Sequence, residues 1–322
     1  MPTRREFIKT TFLASAALGS FGSGLSFGKP RLGKSCTQGF ISQRPPENKR
    51  KFVSEAVEAK IKVVKNSISD DEIAWLFENC FPNTLDTTVE LNTIDGKPDT
   101  FVITGDIHAM WLRDSTAQVW PYLPLTNQDK KLKELIAGVI NRQVKCILID
   151  PYANAFNSGP TGSHWEKDLT KMKPELHERK WEIDSLCYPV RLSYGYWKTT
   201  NDASAFDKNW QLAMKLIVKT FIEQQRKVNP GPYSFQRVTS WQSDTVPLSG
   251  WGNPTRPVGL IHSMFRPSDD CCVYPFLIPS NLFAQKTLLQ LSEIFLEVFN
   301  DRNFSDQCSA FSEEIHQAIE NY

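Results

Sequence analysis

The sequence predicts an all-α fold in which amphipathic helices form the scaffold and long loops carry the functional groups. In three segments apolar residues recur every three or four positions, which is the period of a helix with one buried face. Their apolar residues are Leu132, Leu135, Ile136, Val139 and Ile140; Trp210, Ala213, Met214, Ile217 and Phe221; and Leu288, Leu291, Phe295, Val298 and Phe299. The loops 153–173 and 229–257 are rich in Gly, Pro, Trp and Asp. Loops of this length are uncommon in a compact domain unless they carry function.

Two shorter helices are predicted nearer the N-terminus. Residues 52–64 and 70–80 show helical periodicity, and the Ser-Asp-Asp-Glu sequence at 69–72 is typical of a capped helix start. Asn281, which follows Pro279, is predicted to be the N-cap of the third long helix.

One β-hairpin is predicted. Residues 87–91 and 100–103 alternate apolar and polar side chains on either side of Asp95-Gly96, a dipeptide that favours tight hairpin turns. We expect this hairpin to be a small excursion from an otherwise helical chain.

The N-terminal residues predict export. Arg4 and Arg5 precede an apolar run of small residues, which resembles a twin-arginine signal over residues 1–28. Residues 29–50 are rich in Gly, Ser, Pro and basic residues and predict a linker, and 51–322 form the folded domain. The apolar run is too short to span a bilayer, and no other stretch is a candidate. The sequence therefore predicts a periplasmic or secreted protein with no integral membrane span.

The composition excludes several classes of function. Lys and Arg number 37 against 36 Asp and Glu, so the chain has no basic field to bind nucleic acid. The seven cysteines include no CxxC pair and the five histidines no HExxH arrangement, so no metal site is predicted. Neither a phosphate-binding loop nor a nucleophile elbow is present, and no cofactor is expected. The nine tryptophans and eight tyrosines offer flat faces on which a sugar ring can stack.

Two segments combine carboxylates with arginine and aromatic residues. In the segment 105–115, Arg113 and Asp114 lie side by side after Trp111, and such a pair can donate to and accept from neighbouring hydroxyls of a sugar. A salt bridge at the end of a helix is an equally good interpretation of the Arg113–Asp114 pair. Glu182 and Asp184 follow an aromatic residue in 178–189, where the alternative is a solvated charged face.

A third segment carries two adjacent carboxylates. Asp269 and Asp270 follow Arg266 in a proline-containing loop that precedes an aromatic run. A partly desolvated carboxyl keeps its proton near neutral pH and can give it to a leaving oxygen. The alternative is that these residues cap a turn, which their types also favour. Together the three segments favour a glycosidase or a sugar-binding barrel.

The same segments resemble a known family. Residues 105–115, 178–189 and 265–270, with Ile-Pro-Ser-Asn at 278–281, are similar in sequence and in order to glycoside hydrolase family 125, the exo-acting α-1,6-mannosidases. The resemblance extends from Phe52 to the end of the chain. It implies an (α/α)6 barrel, or toroid, incomplete in this chain, with 51–322 as the catalytic domain.

The resemblance also implies a reaction. Family members hydrolyse terminal, non-reducing α-1,6-linked mannose from mannosides such as N-glycan fragments, with inversion and without metal or cofactor. The implied general acid is Asp269, with Asp270 as the alternative. The residues implied to line the pocket for the terminal mannose are Trp111, Arg113, Asp114, Glu182, Asp184, Arg266 and Asn281.

The sequence departs from the family in one respect. The family's general base is a glutamate in a C-terminal His-Glu-Ser-Phe-like block, and no such block follows here; the sequence stops at 315–322 within an amphipathic helix. We therefore expect a fragment of a longer protein. The alternatives are a mannoside-binding or inactive fragment that lacks the base, another (α/α)6 glycosidase or lyase, and, less favoured, a calcium-dependent α-mannosidase.

Overall fold

The computed structural model describes residues 40–322. The predicted export signal, 1–28, and the first part of the predicted linker lie outside the described residues. Ser42–Tyr322 form one unit; of the other unit, Met1–Ile41, only the last two residues are described, and they form neither helix nor strand. Among the described residues, no helix combines the length and the apolar character that a membrane span requires.

Helices make up most of the described chain. The α-helices are α1 (Glu55–Ser67), α2 (Asp71–Cys80), α3 (Leu112–Val119), α4 (Lys130–Ile149), α5 (Ile183–Thr200), α6 (Lys208–Gln224), α7 (Ile278–Glu297) and α8 (Arg302–Asn321). Short 3-10 helices cover Glu47–Lys49, Trp120–Leu125 and Gln242–Asp244, and a π-helical turn covers Thr84–Thr88. The first two periodic segments form α4 and α6, which confirms those predictions. The third lies in α7 as far as Phe295, whereas Val298 and Phe299 follow the end of the helix.

The predicted caps have mixed outcomes. Asp70 is the N-cap of α2, and its carboxylate accepts from the main-chain N–H groups of Glu72 and Ile73, as predicted. The N-cap prediction for Asn281 is wrong. Helix α7 begins at Ile278, and the Asn281 N–H already bonds within the helix to the Leu277 carbonyl. Proline suits the first turn of a helix because its missing N–H has no partner there, so Pro279 starts the helix earlier.

The predicted hairpin is confirmed. Strands β1 (Val89–Ile94) and β2 (Lys97–Val102) pair antiparallel, and both turn residues, Asp95 and Gly96, have positive φ. Two successive left-handed residues match the twist of the flanking strands. Helix α4 packs on β2, and Gly138 permits this contact because a Cβ there would overlap Thr100.

A second sheet was not predicted, so the all-α prediction is too strict. Strands β3 (Met110–Trp111), β4 (Ala155–Phe156) and β5 (Leu176–Glu178) pair antiparallel in the order β3-β4-β5. Strands of two or three residues show no readable alternation, which is why the sequence does not reveal them. Residues 40–322 are thus mostly helical with two small sheets.

The helices place two termini next to each other. Helix α5 packs against α3 and α7, and α7 packs against α8. The first turn of α3 lies beside the start of α5, since Arg113 in the former is 2.7 Å from Glu182 at the latter. The sequence blocks 105–115 and 178–189 each contain one of these two helix starts.

The end of the predicted linker is bound to the fold. Arg44 donates to Asp86 at 2.8 Å and to Glu58 at 3.0 Å, and Arg50 lies 3.2 Å from Glu58. The side chains of Arg44 and Asp86 are buried. Residues shortly before 51 therefore belong to the packed structure.

Candidate active site

The candidate site is organised around Arg113, in the first turn of α3. Its guanidinium is largely buried and lies within ion-pair distance of four carboxylates. Nη1 lies 2.7 Å from Glu182 Oε2 and 3.6 Å from Asp184 Oδ2, Nη2 lies 3.1 Å from Asp269 Oδ1, and Nε lies 3.4 Å from Asp114 Oδ2. Residues far apart in the sequence thus converge on one cation.

Two of these carboxylates come from the start of α5. Glu182 is the N-cap residue and Asp184 lies in the first turn, where the helix dipole favours negative charge. Both are buried, and the Ser185 hydroxyl donates to Glu182 Oε2 at 2.8 Å. Within residues 40–322, Glu182 Oε1 and both Asp184 oxygens have no hydrogen-bond partner. Buried oxygens without partners are costly unless a ligand donates to them.

The crowding of carboxylates shifts their pKa values. Burial, followed by the charge of Asp184, raises the pKa of Glu182 well above its usual range. Burial also raises the pKa of Asp184 to about 6, and it raises the pKa of Asp114. Burial alone would lower the pKa of Arg113, but the surrounding carboxylates, Glu182 first, raise it. One guanidinium cannot neutralise four carboxylates, so proton binding is favoured at Glu182, Asp184 and Asp114.

Asp269 reaches the cluster from a tight loop. The bridge between Phe265 and Cys271 closes the loop, and within it the Asp269 N–H donates to the Arg266 carbonyl at 2.8 Å. Asp269 has φ of +60°, in the left-handed region that few residues other than glycine adopt. This turn aims its carboxylate at Arg113 while the side chain stays 34% exposed. Asp269 therefore combines a fixed position with access from outside.

Asp270 and Arg266 pair with each other rather than with Arg113. Arg266 Nη2 donates to Asp270 Oδ2 at 2.9 Å, and the Ser268 hydroxyl donates to the same oxygen at 2.7 Å. The hydrogen bond from Ser268, together with one from Ser243, lowers the pKa of Asp270. The Arg266 side chain is 56% exposed. The structure therefore does not bring either residue to Arg113.

The other two predicted pocket residues differ in their surroundings. Trp111, in β3, is buried next to the ring of His177, with 5.2 Å between ring centroids, and its Nε1–H has no partner within the described chain. Asn281 is fully buried elsewhere. Its amide donates to the Ile261 and Leu277 carbonyls and accepts from the Ile261 N–H, so its hydrogen-bonding capacity is used by the main chain.

A family model identifies the chain. The model of the metal-independent alpha-mannosidases (GH125) matches residues 70–322, which include every residue of the Arg113 cluster. The chain belongs to this family.

Two relatives of this GH125 chain are informative. The Meiotically up-regulated gene 157 protein of Schizosaccharomyces pombe is 37% identical over 298 residues, which cover 87% of this chain and 58% of the relative. A solved metal-independent alpha mannosidase of Streptococcus pneumoniae, in a non-productive complex with alpha-1,6-mannobiose, is 41% identical with a TM-score of 0.80. That match covers 84% of this chain and 64% of the solved chain. The chain thus spans less than two thirds of either relative.

Sequence reasoning missed part of the site of this GH125 chain. Lys180 Nζ donates to the main-chain oxygen of Asp269 at 2.8 Å and to Asp244 Oδ1 at 2.7 Å. The charged run before Glu182 was open to interpretation as a solvated face, whereas Lys180 is buried. Among residues 40–322, no group of three or more His, Cys, Asp or Glu side chains is arranged to hold a metal ion.

Proposed function

We propose that this GH125 protein is an exo-acting α-1,6-mannosidase, which hydrolyses terminal, non-reducing α-1,6-linked mannose from N-glycan-type mannosides with inversion and without metal. The observation that carries the proposal is the Arg113 cluster with its unpartnered buried atoms. Trp111 Nε1 can donate to a sugar hydroxyl, and the free oxygens of Glu182 and Asp184 can accept from others. One terminal hexose presents several hydroxyls that both donate and accept, which suits this set.

The relatives support the linkage. The solved pneumococcal protein is described in complex with alpha-1,6-mannobiose, and the matching family is described as metal-independent. We infer the same disaccharide unit as the substrate here, with the terminal mannose against the Arg113 cluster. The (α/α)6 barrel is proposed as the complete architecture, supported by the mostly helical fold and by the TM-score of 0.80.

Asp269 is the proposed general acid. Its carboxyl group gives a proton to the glycosidic oxygen while the bond from that oxygen to C1 of the mannose breaks, and water attacks C1 from the opposite face as a general base takes the proton of that water. Arg113 fixes the carboxyl position, and the exposed part of Asp269 leaves room for the leaving sugar. Asp270 is the weaker choice because its carboxylate is bound by Arg266 and Ser268 within the loop and not by Arg113.

Glu182 is a poor choice as the general base. Inversion places the base roughly 6.5–9.5 Å from the acid, so that a water molecule fits between them. Glu182 and Asp269 instead bind the two terminal nitrogens of the same guanidinium, and after burial and the charge of Asp184 the charge of Asp269 also raises the pKa of Glu182. We assign Glu182 to the support of the acid, and we assign no general base among residues 40–322.

A mannoside-binding protein without turnover is the second candidate. The observation in its favour is that all four carboxylates of the cluster crowd around Arg113 rather than standing on opposite faces of a substrate. Such a site would hold a terminal mannose without activating water. Export by a twin-arginine-like signal, over residues 1–28, is proposed for either function.

Mannose release in the presence of EDTA tests the proposal. The protein is incubated with α-1,2-, α-1,3- and α-1,6-mannobiose, and free mannose is measured alongside calorimetric binding. We expect release from the α-1,6-linked disaccharide alone, at a rate that EDTA leaves unchanged. Binding of α-1,6-mannobiose without release would favour the second candidate. A protein that neither binds nor cleaves any of the three would overturn both.

A further inference from the structure

Lys180 lies directly behind the loop that carries Asp269. Its side chain is buried, and its Nζ donates to the Asp269 main-chain oxygen at 2.8 Å. The same nitrogen lies 2.7 Å from Asp244 Oδ1 and 3.3 Å from Glu178 Oε1, and 5.2 Å from the ring centroid of Phe265, at the start of the loop. The ammonium therefore joins the loop to two fixed carboxylates.

The carbonyl that Lys180 binds belongs to a residue in an unfavourable conformation. Asp269 has a left-handed backbone, which a residue with a side chain keeps only when its surroundings hold it there. Its N–H is held by the Arg266 carbonyl and its carboxylate by Arg113. Lys180 supplies the remaining restraint, on the carbonyl. Without this restraint the Asp269 backbone could leave the left-handed region, which would turn its Cα–Cβ bond and carry the carboxylate away from Arg113.

A buried network keeps Lys180 in place. Arg237 donates to Glu178 at 3.0 Å, to Asp244 at 3.1 Å and to Asp168 at 2.6 Å, and its guanidinium stacks 3.5 Å from the ring centroid of Trp165. Both carboxylates that contact Lys180 are thus bound a second time. Because Glu178 and Asp244 are fixed by Arg237, they leave Lys180 little freedom to move. Precise positioning of a reacting group requires this kind of restraint.

We propose that Lys180 is a positioning residue, which holds the Asp269 carboxyl in its productive orientation by binding the main-chain oxygen of the same residue. The inference rests on the proposed function, in which Asp269 is the general acid. Lys180 touches neither sugar nor reacting atoms in this role, and Asp244 acts through it. A purely structural lysine would affect stability without any dependence on the leaving group.

Leaving groups of different basicity separate these two roles. The alkoxide released from α-1,6-mannobiose must be protonated as it leaves, whereas 2,4-dinitrophenolate leaves without a proton. For Lys180→Met we expect kcat on α-1,6-mannobiose to fall about 10²-fold with little change in KM, because a displacement on the order of 1 Å has that effect. Hydrolysis of 2,4-dinitrophenyl α-mannoside should be nearly unchanged. Lys180→Arg, which keeps a cation near the carbonyl, should recover part of the loss.

Lys173→Met is the matched control. Lys173 also donates to a main-chain oxygen, that of Ile149, and lies 3.9 Å from Asp150, but it is half exposed and away from the cluster. It should leave both substrates unaffected. Should Lys180→Met not fold, Asp244→Asn carries the test, since it removes the charge of one of the two carboxylates that anchor Lys180 with no change in volume. It should show the same dependence on the leaving group.

Two results would overturn the inference. One is an equal loss of kcat on both substrates for Lys180→Met and Asp244→Asn, and the other is no loss on either. If the unsubstituted protein cleaves no mannoside, the proposed function fails, and a crystal structure of the Lys180→Met variant decides the positioning role. If Asp269 keeps its positive φ and its contact with Arg113 in that variant, the positioning role is contradicted. A displaced Asp269 carboxylate supports the role.

Discussion

Arg113 holds Asp269 with one terminal nitrogen and Glu182 with the other, at 3.1 Å and 2.7 Å. The planar guanidinium thereby fixes two carboxyl groups side by side, one from a loop and one from the start of α5. Asp269 is 156 residues from Arg113 along the chain, so this contact joins distant parts of the fold. Arg113 is therefore a counter-ion shared by all four carboxylates of the cluster.

Removal of this cation should destabilise the protein. In Arg113→Met the buried carboxylates lose their counter-ion, and we expect the free energy of unfolding to fall by about 3–5 kcal/mol at pH 7. The loss should be smaller at pH 5, where more of these carboxyl groups are protonated. Urea unfolding at the two pH values measures both effects. Arg266→Met, at the exposed arginine, is the control and should change stability little; equal losses in the two variants would refute the central role of Arg113.

Asp184 should make stability decrease with pH in the weakly acidic range. Its pKa is raised from 3.8 to about 6 by burial, so between these values the folded state binds more protons than the unfolded state. The free energy of unfolding therefore falls as the pH rises through this window. In Asp184→Asn this decrease should be reduced, and stability at pH 7 should increase by up to roughly 3 kcal/mol. Unfolding curves from pH 3.5 to 7 test this, and an unchanged pH dependence would show that Asp184 is not held protonated.

Trp111 should contribute to sugar binding through its indole N–H. The Nε1–H is buried without a partner in the described chain, and a buried donor without an acceptor costs free energy. A sugar hydroxyl that accepts from this N–H removes that cost. Trp111→Phe should weaken mannose binding by about 1 kcal/mol and leave the fold intact. Trp181→Phe is the contrast, because Trp181 Nε1 already donates to the His262 carbonyl at 2.8 Å. Calorimetry should show weaker mannose binding for Trp111→Phe and lower stability for Trp181→Phe. Unchanged mannose binding in Trp111→Phe would exclude Trp111 from the sugar site.

The stereochemistry of the product should reveal inversion. Direct attack by water on an α-mannoside releases β-mannose first, which then equilibrates with the α-anomer. Proton NMR of α-1,6-mannobiose during the first minutes of hydrolysis distinguishes the two. Initial α-mannose would instead indicate retention and a carboxylate nucleophile, for which a separation of about 5 Å between the two carboxyl groups is typical.

The sequence predicted the scaffold better than the site. Helices α4 and α6 were visible because each buries a continuous apolar face, and the hairpin because Asp95-Gly96 specifies its turn. The β3-β4-β5 sheet was not visible, since its strands are too short to alternate. Local sequence patterns indicated that the carboxylates and Arg113 belong to the candidate site. They did not indicate that Asp270 pairs with Arg266 instead of Arg113.

Two roles depended on long-range contacts that no spacing reveals. Asn281 lay in a matching motif, yet its amide is used to brace the main chain at Ile261 and Leu277. Lys180 lay in a charged run, yet it is buried because Asp244 and the Asp269 carbonyl are both brought to it by folding. Only the three-dimensional arrangement separates a brace, a positioning residue and a pocket residue.

The most direct test of the central claim compares Asp269→Asn with Asp270→Asn on α-1,6-mannobiose in EDTA. Both substitutions keep volume, and the two residues are adjacent, so only the direction of the side chain distinguishes them. We expect Asp269→Asn to lower kcat by about 10²–10⁴-fold, the contribution of a general acid, and Asp270→Asn to retain most activity. Full activity in Asp269→Asn, or the larger loss in Asp270→Asn, would contradict the assignment of Asp269 as the acid of an α-1,6-mannosidase.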